Sequence, residues 1–363
     1  MNLQVTQENL QKSLGSVARV ASSRNALPIL ANVLLQTKNN RLCVTATNLD
    51  IAITHYVGAK IKTEGSITVP ARLTQDFINS LPSDVINLEL KEHRLSIISG
   101  KYQSTINGII ADDFPAMPAI ADPKTFVLPA KDLRKGLQQV VFAASSDETR
   151  QILTAVYFYS FEGNLYLAAT DSYRLAERKL SKCSEDVSLL IPAQSMSDLL
   201  RILNDSTDDV VVEYDEQLVR FVAGDIELVT RMINGKYPDY RKLIPEKFAV
   251  TATLERDQAV NITKVSSLFA RENAGSVVLK ADDDKKEVSI ASVASQLGEN
   301  TSEASAEVAG SGDVTLNSRY VLDGLQAFGS KKVTLNFNGK LEPFVIKSPE
   351  EPEYTHVVMP LRS

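Results

Sequence analysis

The chain has 363 residues, 44% of them apolar and 23% charged, which suits two or three ordinary packed domains. No apolar run approaches the ~20 residues of a membrane span, and residues 1–10 lack the basic-then-apolar order of a signal peptide. The only two cysteines, Cys43 and Cys183, lie far apart and fit free thiols in a reducing cytoplasm, while a net charge of −6, read alone, argues against nucleic acid.

Taken in chain order, the elements repeat three times. The first segment opens with an amphipathic helix over 6–22, with Leu10, Leu14, Val17 and Val20 at helical spacing. Strands follow at 33–36, 42–46 and 51–57, then a short helix over 71–81 and strands at 86–90 and 95–99. The second segment has a helix over 129–145, where proline suits the first turn, and strands at 155–160 and 165–169 around a Glu162-Gly-Asn164 turn. A helix over 193–203 and strands at 210–214, 219–223 and 226–232 complete it. The third has a helix over 255–271, strands at 276–280 and 287–292, an acidic stretch over 299–307, a helix over 318–328, and strands at 333–338 and 343–348.

The register between segments is nearly constant. Thr47-Asn48-Leu49 aligns with Thr170-Asp171-Ser172 at an offset of 123, Pro70 with Pro192 at 122, and Pro115 with Pro238 at 123. Pro192 aligns with Asn317 at 125. These landmarks define α+β domains at 1–120, 121–246 and 247–363, joined by Pro-bearing and therefore stiff linkers. Gly15, Gly136 and Gly324 fall inside helices and read as close-packing positions.

Catalytic chemistry is missing from the pattern. His55, His93 and His356 have no metal-ligand spacing, and no Walker, dinucleotide or nucleophile-elbow motif occurs. No metal, cofactor or catalytic residue is expected. Two rival readings stay open on the residues alone. One is a nucleic-acid enzyme using Asp171 and Asp239 as metal ligands; the other is a protein-only adaptor.

Several strings carry a family match: Leu27-Pro-Ile-Leu30, Thr68-Val-Pro-Ala-Arg72, Asp147-Glu-Thr-Arg150 before Ile152-Leu-Thr154, Thr170-Asp-Ser-Tyr-Arg-Leu-Ala176, Tyr237-Pro-Asp-Tyr-Arg241 and Val357-Val-Met-Pro-Leu-Arg362. In this order over a threefold repeat, the chain resembles the bacterial DNA sliding clamps, the beta subunits of DNA polymerase III. The resemblance implies three clamp domains, each with two helices packed on antiparallel sheets, closing as a head-to-tail homodimer ring around duplex DNA. It implies a non-catalytic, cytoplasmic processivity factor without cofactors. Its partners would be the replicative polymerase's catalytic subunit, an ATP-hydrolysing clamp loader, and other polymerases and repair proteins with short docking motifs.

Residues carry over by position. A peptide pocket would use Leu153, Thr170, Ser172, Tyr173, Arg174, Leu175, Pro238, Lys242, Leu243, Leu341, Pro343, Val357, Met359, Pro360, Leu361 and Arg362. An apolar cleft with a few polar groups suits a short apolar motif. Tyr173 stands where His is frequent, Lys242 where Arg is frequent, Gln151 where Pro or an aromatic is usual, and Ser363 where the chain usually ends apolar. DNA would meet Lys12, Arg24, Arg72, Arg134, Arg150, Gln194 and Arg201 through weak, sequence-blind phosphate contacts. The six helices hold 11 Lys and Arg against 7 Asp and Glu, a balance of +4. In a ring lined by helices, that makes a positive bore inside an acidic shell, so the total of −6 no longer opposes DNA. The dimer contact would use Lys101, Gln103, Ser104 and Ile106 of one copy with Leu268, Phe269, Ala274, Glu299 and Glu303 of the other. There Lys101 would face Glu299, Glu303 or Glu307. Gln103 and Ser104 soften this edge, so the expected dimer is weaker than is typical of the family.

Overall fold

The structure is a computed structural model that describes every residue except 22–26, 205–206, 272–273, 295–297 and 363. Arg24 and Ser363 therefore lie outside the described residues. The described helices are α1 (Gln7–Val17), α2 (Ala71–Ser80), α3 (Ala130–Val140), α4 (Ala193–Ile202), α5 (Arg256–Phe269) and α6 (Ser318–Ala327). Each falls where the apolar period predicts it. The helix expected over 6–22 ends at Val17, and a turn then folds Val20 into the same core, which extends the apolar period past the helix. None of the described helices is long and apolar enough to cross a membrane.

Pro70, Pro129 and Pro192 each end a strand, with the helix starting one residue later. That corrects the reading of Pro129 as a first-turn helical residue. Proline lacks the N–H that a ladder needs, so it is tolerated at a strand's end. Strands at Asn2–Thr6, Lys124–Pro129, Arg174–Lys182, Val250–Glu255 and Tyr354–Val358 were not expected from the sequence. The acidic stretch is also a strand, Gly298–Ser305, paired along its length with Glu287–Ala294. Its glutamates stand on a sheet edge, where charge discourages indiscriminate pairing.

Two compact units contain these elements. The first comprises Met1–Lys131 and Asp198–Met232; the second comprises Asp132–Ser197 and Ile233–Ser363. Neither follows the repeat boundaries, because in each an antiparallel seam joins one repeat to the next. In the first unit, Ile51–Gly58 of repeat one pairs with Ile226–Arg231 of repeat two, from Ile226 opposite His55 to Thr230 opposite Ile51. The result is an eight-stranded sheet beside a separate five-stranded one. In the second unit, Arg174–Lys182 of repeat two pairs with Tyr354–Val358 of repeat three, starting with Arg174 opposite Val358. There the seam makes a nine-stranded sheet, beside a four-stranded one.

The cores are aliphatic, as a Trp-free chain requires, with a few large rings such as Phe158, Phe337, Phe344 and Tyr354 fully buried. His356 sits between its strand and α6, with Nε2 3.2 Å from the Tyr320 carbonyl. Burial lowers its pKa to about 3, so the ring is neutral. The helix glycines differ. A Cβ on Gly324 would lie 2.2 Å from His356 Cδ2, and one on Gly136 2.6 Å from Leu180 Cδ2, whereas one on Gly15 would meet nothing within 4 Å. Gly15 is therefore no close-packing position. Gly324→Ala should cost about 1–3 kcal/mol through overpacking, while Gly15→Ala should stabilise by up to ~1 kcal/mol. Thermal melting of the two variants should move in opposite directions.

Candidate docking pocket

The pocket lies wholly in the second unit and begins with a turn. Thr170-Asp-Ser-Tyr-Arg174 reverses the chain between two strands, with Ser172 at φ +77°. Thr170 Oγ1 accepts from the Ser172 N–H at 3.1 Å and donates to the Arg174 carbonyl at 2.5 Å. Asp171 Oδ1 accepts from the N–H groups of Tyr173 and Arg174, both at 2.9 Å. Side chains of this kind stabilise a turn by replacing main-chain partners.

Arg174 is 9% exposed and all three of its nitrogens are used. Nε donates to Asp171 Oδ2 at 3.1 Å, Nη1 to Asp323 Oδ2 at 2.5 Å and Nη2 to the Phe142 carbonyl at 2.7 Å. The guanidinium also lies over the Tyr320 ring at 4.7 Å. Two carboxylates and a carbonyl thus compensate its desolvation. The arrangement leaves Asp171 occupied by main chain and Arg174, and Asp239 pairs with Lys242 at 2.7 Å. The bonds to Asp171 give it a structural role, against the metal-ligand rival, while Asp239 makes an exposed surface pair. No group of three or more His, Cys, Asp or Glu that could hold a metal occurs among the described residues.

A second knot holds the opposite wall. Glu177 accepts from Tyr159 Oη at 2.8 Å and from Tyr240 Oη, and Arg241 lies 3.2 Å from the same carboxylate. The Arg241 guanidinium covers the Phe161 and Tyr166 rings at 4.0 and 4.3 Å. Burial, with the Glu177 charge beside it, pushes the Tyr240 phenol well above its usual pKa, so it stays a donor. The segment bearing Pro238, Tyr240 and Leu243 is thereby clamped to the sheet.

Between the knots is a cavity of about 160 Å³, lined by Leu153, Thr170, Ser172, Arg174, Leu175, Pro238, Tyr240, Leu243, Val357 and Met359. Ligand pockets for drug-sized molecules run to roughly 300–1,000 Å³, so this one suits one or two apolar side chains of a longer ligand. The expected residues Tyr173, Lys242, Leu341, Pro343, Pro360, Leu361 and Arg362 are not in the lining. Tyr173 and Leu341 are solvent-exposed at 61% and 69%, although the Tyr173 carbonyl accepts from the Met359 N–H at 2.8 Å. Lys242 points to Asp239, and the Leu361 N–H is held by the Thr315 carbonyl at 2.8 Å. Tyr240 was missed, although the paired aromatics Tyr237 and Tyr240 beside Pro238 marked the joint.

The residues expected at DNA fall in both units. Lys12, Arg72, Gln194 and Arg201 are exposed on α1, α2 and α4, with Arg201 paired to Asp198 at 2.7 Å. Arg134 is half-buried on α3. Arg150 lies beside the pocket, with Nη1 donating to Ser172 Oγ at 3.1 Å. Of the expected dimer contacts, Gln103, Ser104 and Ile106 lie on the edge strand Tyr102–Asn107, with Lys101 just before it. Ile106 is buried. Glu299 and Glu303 lie on the edge strand Gly298–Ser305, and Leu268 and Phe269 end α5. Ala274 is exposed at φ +50°. Glu307 is engaged by Lys332 at 3.3 Å.

Arg174→Ala would strip the cation from two carboxylates and should destabilise the chain by about 3–5 kcal/mol. Thermal or urea unfolding monitored in the second unit checks this; an unchanged midpoint would refute the keystone role.

Comparison with known proteins gives one consistent answer. Residues 1–118, 127–239 and 241–362 match the N-terminal, central and C-terminal domains of the DNA polymerase III beta subunit. The beta sliding clamp of Synechocystis is 32% identical, with the match covering 100% of this chain and 99% of that one. The DNA polymerase sliding clamp of Bacillus subtilis has 27% identity and a TM-score of 0.94, over 100% of this chain and 99% of that one. The clamp of Bartonella birtlesii, solved bound to griselimycin, has 28% identity and a TM-score of 0.94 over the full length of both. With three clamp domains matched along its length, the chain belongs to the family of bacterial beta sliding clamps, the non-catalytic processivity subunit of DNA polymerase III.

Proposed function

We propose that two copies of this chain close head to tail into a ring around duplex DNA and tether docking partners through the apolar pocket. The carrying observation is the repeated seam. Twice, the third strand of one repeat's first half pairs with the last strand of the next repeat, in the same register. The two equivalent strands without such a partner are Gly298–Ser305 and Tyr102–Asn107, both sheet edges. The repeat-equivalent register sets Tyr102 opposite Ser302, Ser104 opposite Asn300 and Ile106 opposite Gly298 of a second copy. Lys101 then faces Glu303. This contact is heterologous, and it closes after two steps if the rotation allows.

In this reading, the domains are 1–120, 121–246 and 247–363. DNA is held through Lys12, Arg72, Arg134, Gln194 and Arg201 without sequence preference, and the protein works in the cytoplasm. The replicative polymerase, the clamp loader and repair proteins share the pocket as occupants. The bound griselimycin in related clamps supports a ligand-accepting site in this fold.

Three measurements test the ring. Lys101→Cys combined with Glu303→Cys should yield an oxidised covalent dimer that neither single variant gives; a purely monomeric product would reject the register. Because Gln103, Ser104 and Asn300 make this seam polar, sedimentation of the unmodified protein should detect dissociation at nanomolar concentration. After loader-dependent assembly on nicked circular DNA, the protein should stay on the circle and leave when the DNA is linearised. Retention that survives linearisation would point to ordinary binding instead.

A further inference from the structure

Beside the apolar pocket is a larger hollow of about 680 Å³, sharing Leu153, Ser172 and Pro238 with it. Its other walls are the segment Glu148–Thr154 and the loop containing Asn234 and Lys236. Both walls have a defined backbone reason. Arg150, at φ −117° and ψ 63°, breaks the helical turns on either side of it and directs its guanidinium to Ser172. Gly235, at φ +143°, lets the loop approach so closely that a Cβ there would lie 2.8 Å from Ile152 Cδ1.

The hollow carries two cations, Arg150 and Lys236, against one carboxylate, Glu148. Neither cation makes a salt bridge among the described residues. The neighbouring Asp147 is committed to Thr149, accepting from its N–H at 3.0 Å and its hydroxyl at 2.7 Å. The apolar pocket takes only one or two side chains, so a docked peptide must continue beyond it. On this side its path meets the two cations.

We propose that the hollow is a second subsite that reads acidic residues flanking the apolar anchor of a docking peptide. A carboxylate there accepts from the free donors of the Arg150 fork and from Lys236. The proposal rests on the pocket being a peptide site. It also removes Arg150 from the DNA-facing set.

The test uses the full chain and fluorescence anisotropy. The probes are a fluorescein-labelled hexapeptide of Leu, Ser and Phe, and the same peptide extended by two aspartates at either end. Acid at one of the two ends should tighten binding about fivefold at low salt, since exposed ion pairs each contribute modestly. The ratio of extended to plain affinity should fall towards one in Arg150→Ala/Lys236→Ala and at high salt. Equal binding of extended and plain peptides would overturn the subsite while leaving the pocket intact. An acid-dependent gain that survives in the double variant would overturn it too, as would a double variant whose only defect is in retention on circular DNA. Failure of the plain peptide to bind would remove the pocket and the subsite together.

Discussion

An unpaired strand edge is costly and hazardous, and this chain meets that constraint twice, the second and third repeats each covering an edge left by the one before. The pairing of Arg174–Lys182 with Tyr354–Val358 is one such seam. It brings the Val357 side chain and Met359 beside a turn that belongs to another repeat, and so creates the pocket. Arg174 ties its strand to Asp323 of the third repeat, and Glu177 ties the same strand to Tyr240 and Arg241 beside the linker. Without the seam, the pocket residues would be scattered over some two hundred positions of chain.

Both seams use the same turn, yet only one is known here to frame an apolar cavity. In the first unit, Thr47 Oγ1 accepts from Leu49 N–H at 3.1 Å and donates to the Ile51 carbonyl at 2.9 Å, repeating the Thr170 pattern. Leu49 even adopts φ +83° where Ser172 has +77°. The side chains differ. Ile51 replaces Arg174, Leu49 replaces Ser172, and Arg231 stands in the place of Met359. The Arg231 N–H bonds the Asp50 carbonyl as Met359 bonds Tyr173, and its guanidinium then reaches back to the Leu49 carbonyl at 3.3 Å. A shared backbone design has thus been given different surface chemistry in the two repeats.

Much of this was legible in the residues. The six helices followed from apolar periodicity, because each buries one stripe against a sheet. The repeat register followed from Thr47, Thr170 and the joint prolines, because turns and linkers constrain residue type. Strands such as Asn2–Thr6 and Gly298–Ser305 were not legible, being short, or polar on an edge where no apolar alternation is needed. The pocket was legible only through family strings, which name Lys242, Leu341 and the chain's last residues beyond the lining of the apolar cavity itself.

By itself, the sequence determined the number of repeats, the place of each helix and the shared register of the Thr47 and Thr170 segments. All three depend on local spacing and local backbone preference. Only the tertiary structure decided which edges meet, that Tyr240 is part of the pocket and that Arg150 belongs to its rim. It also decided that Gly324, unlike Gly15, has no room for a side chain. These are contacts between segments far apart in the chain, and no local preference specifies them.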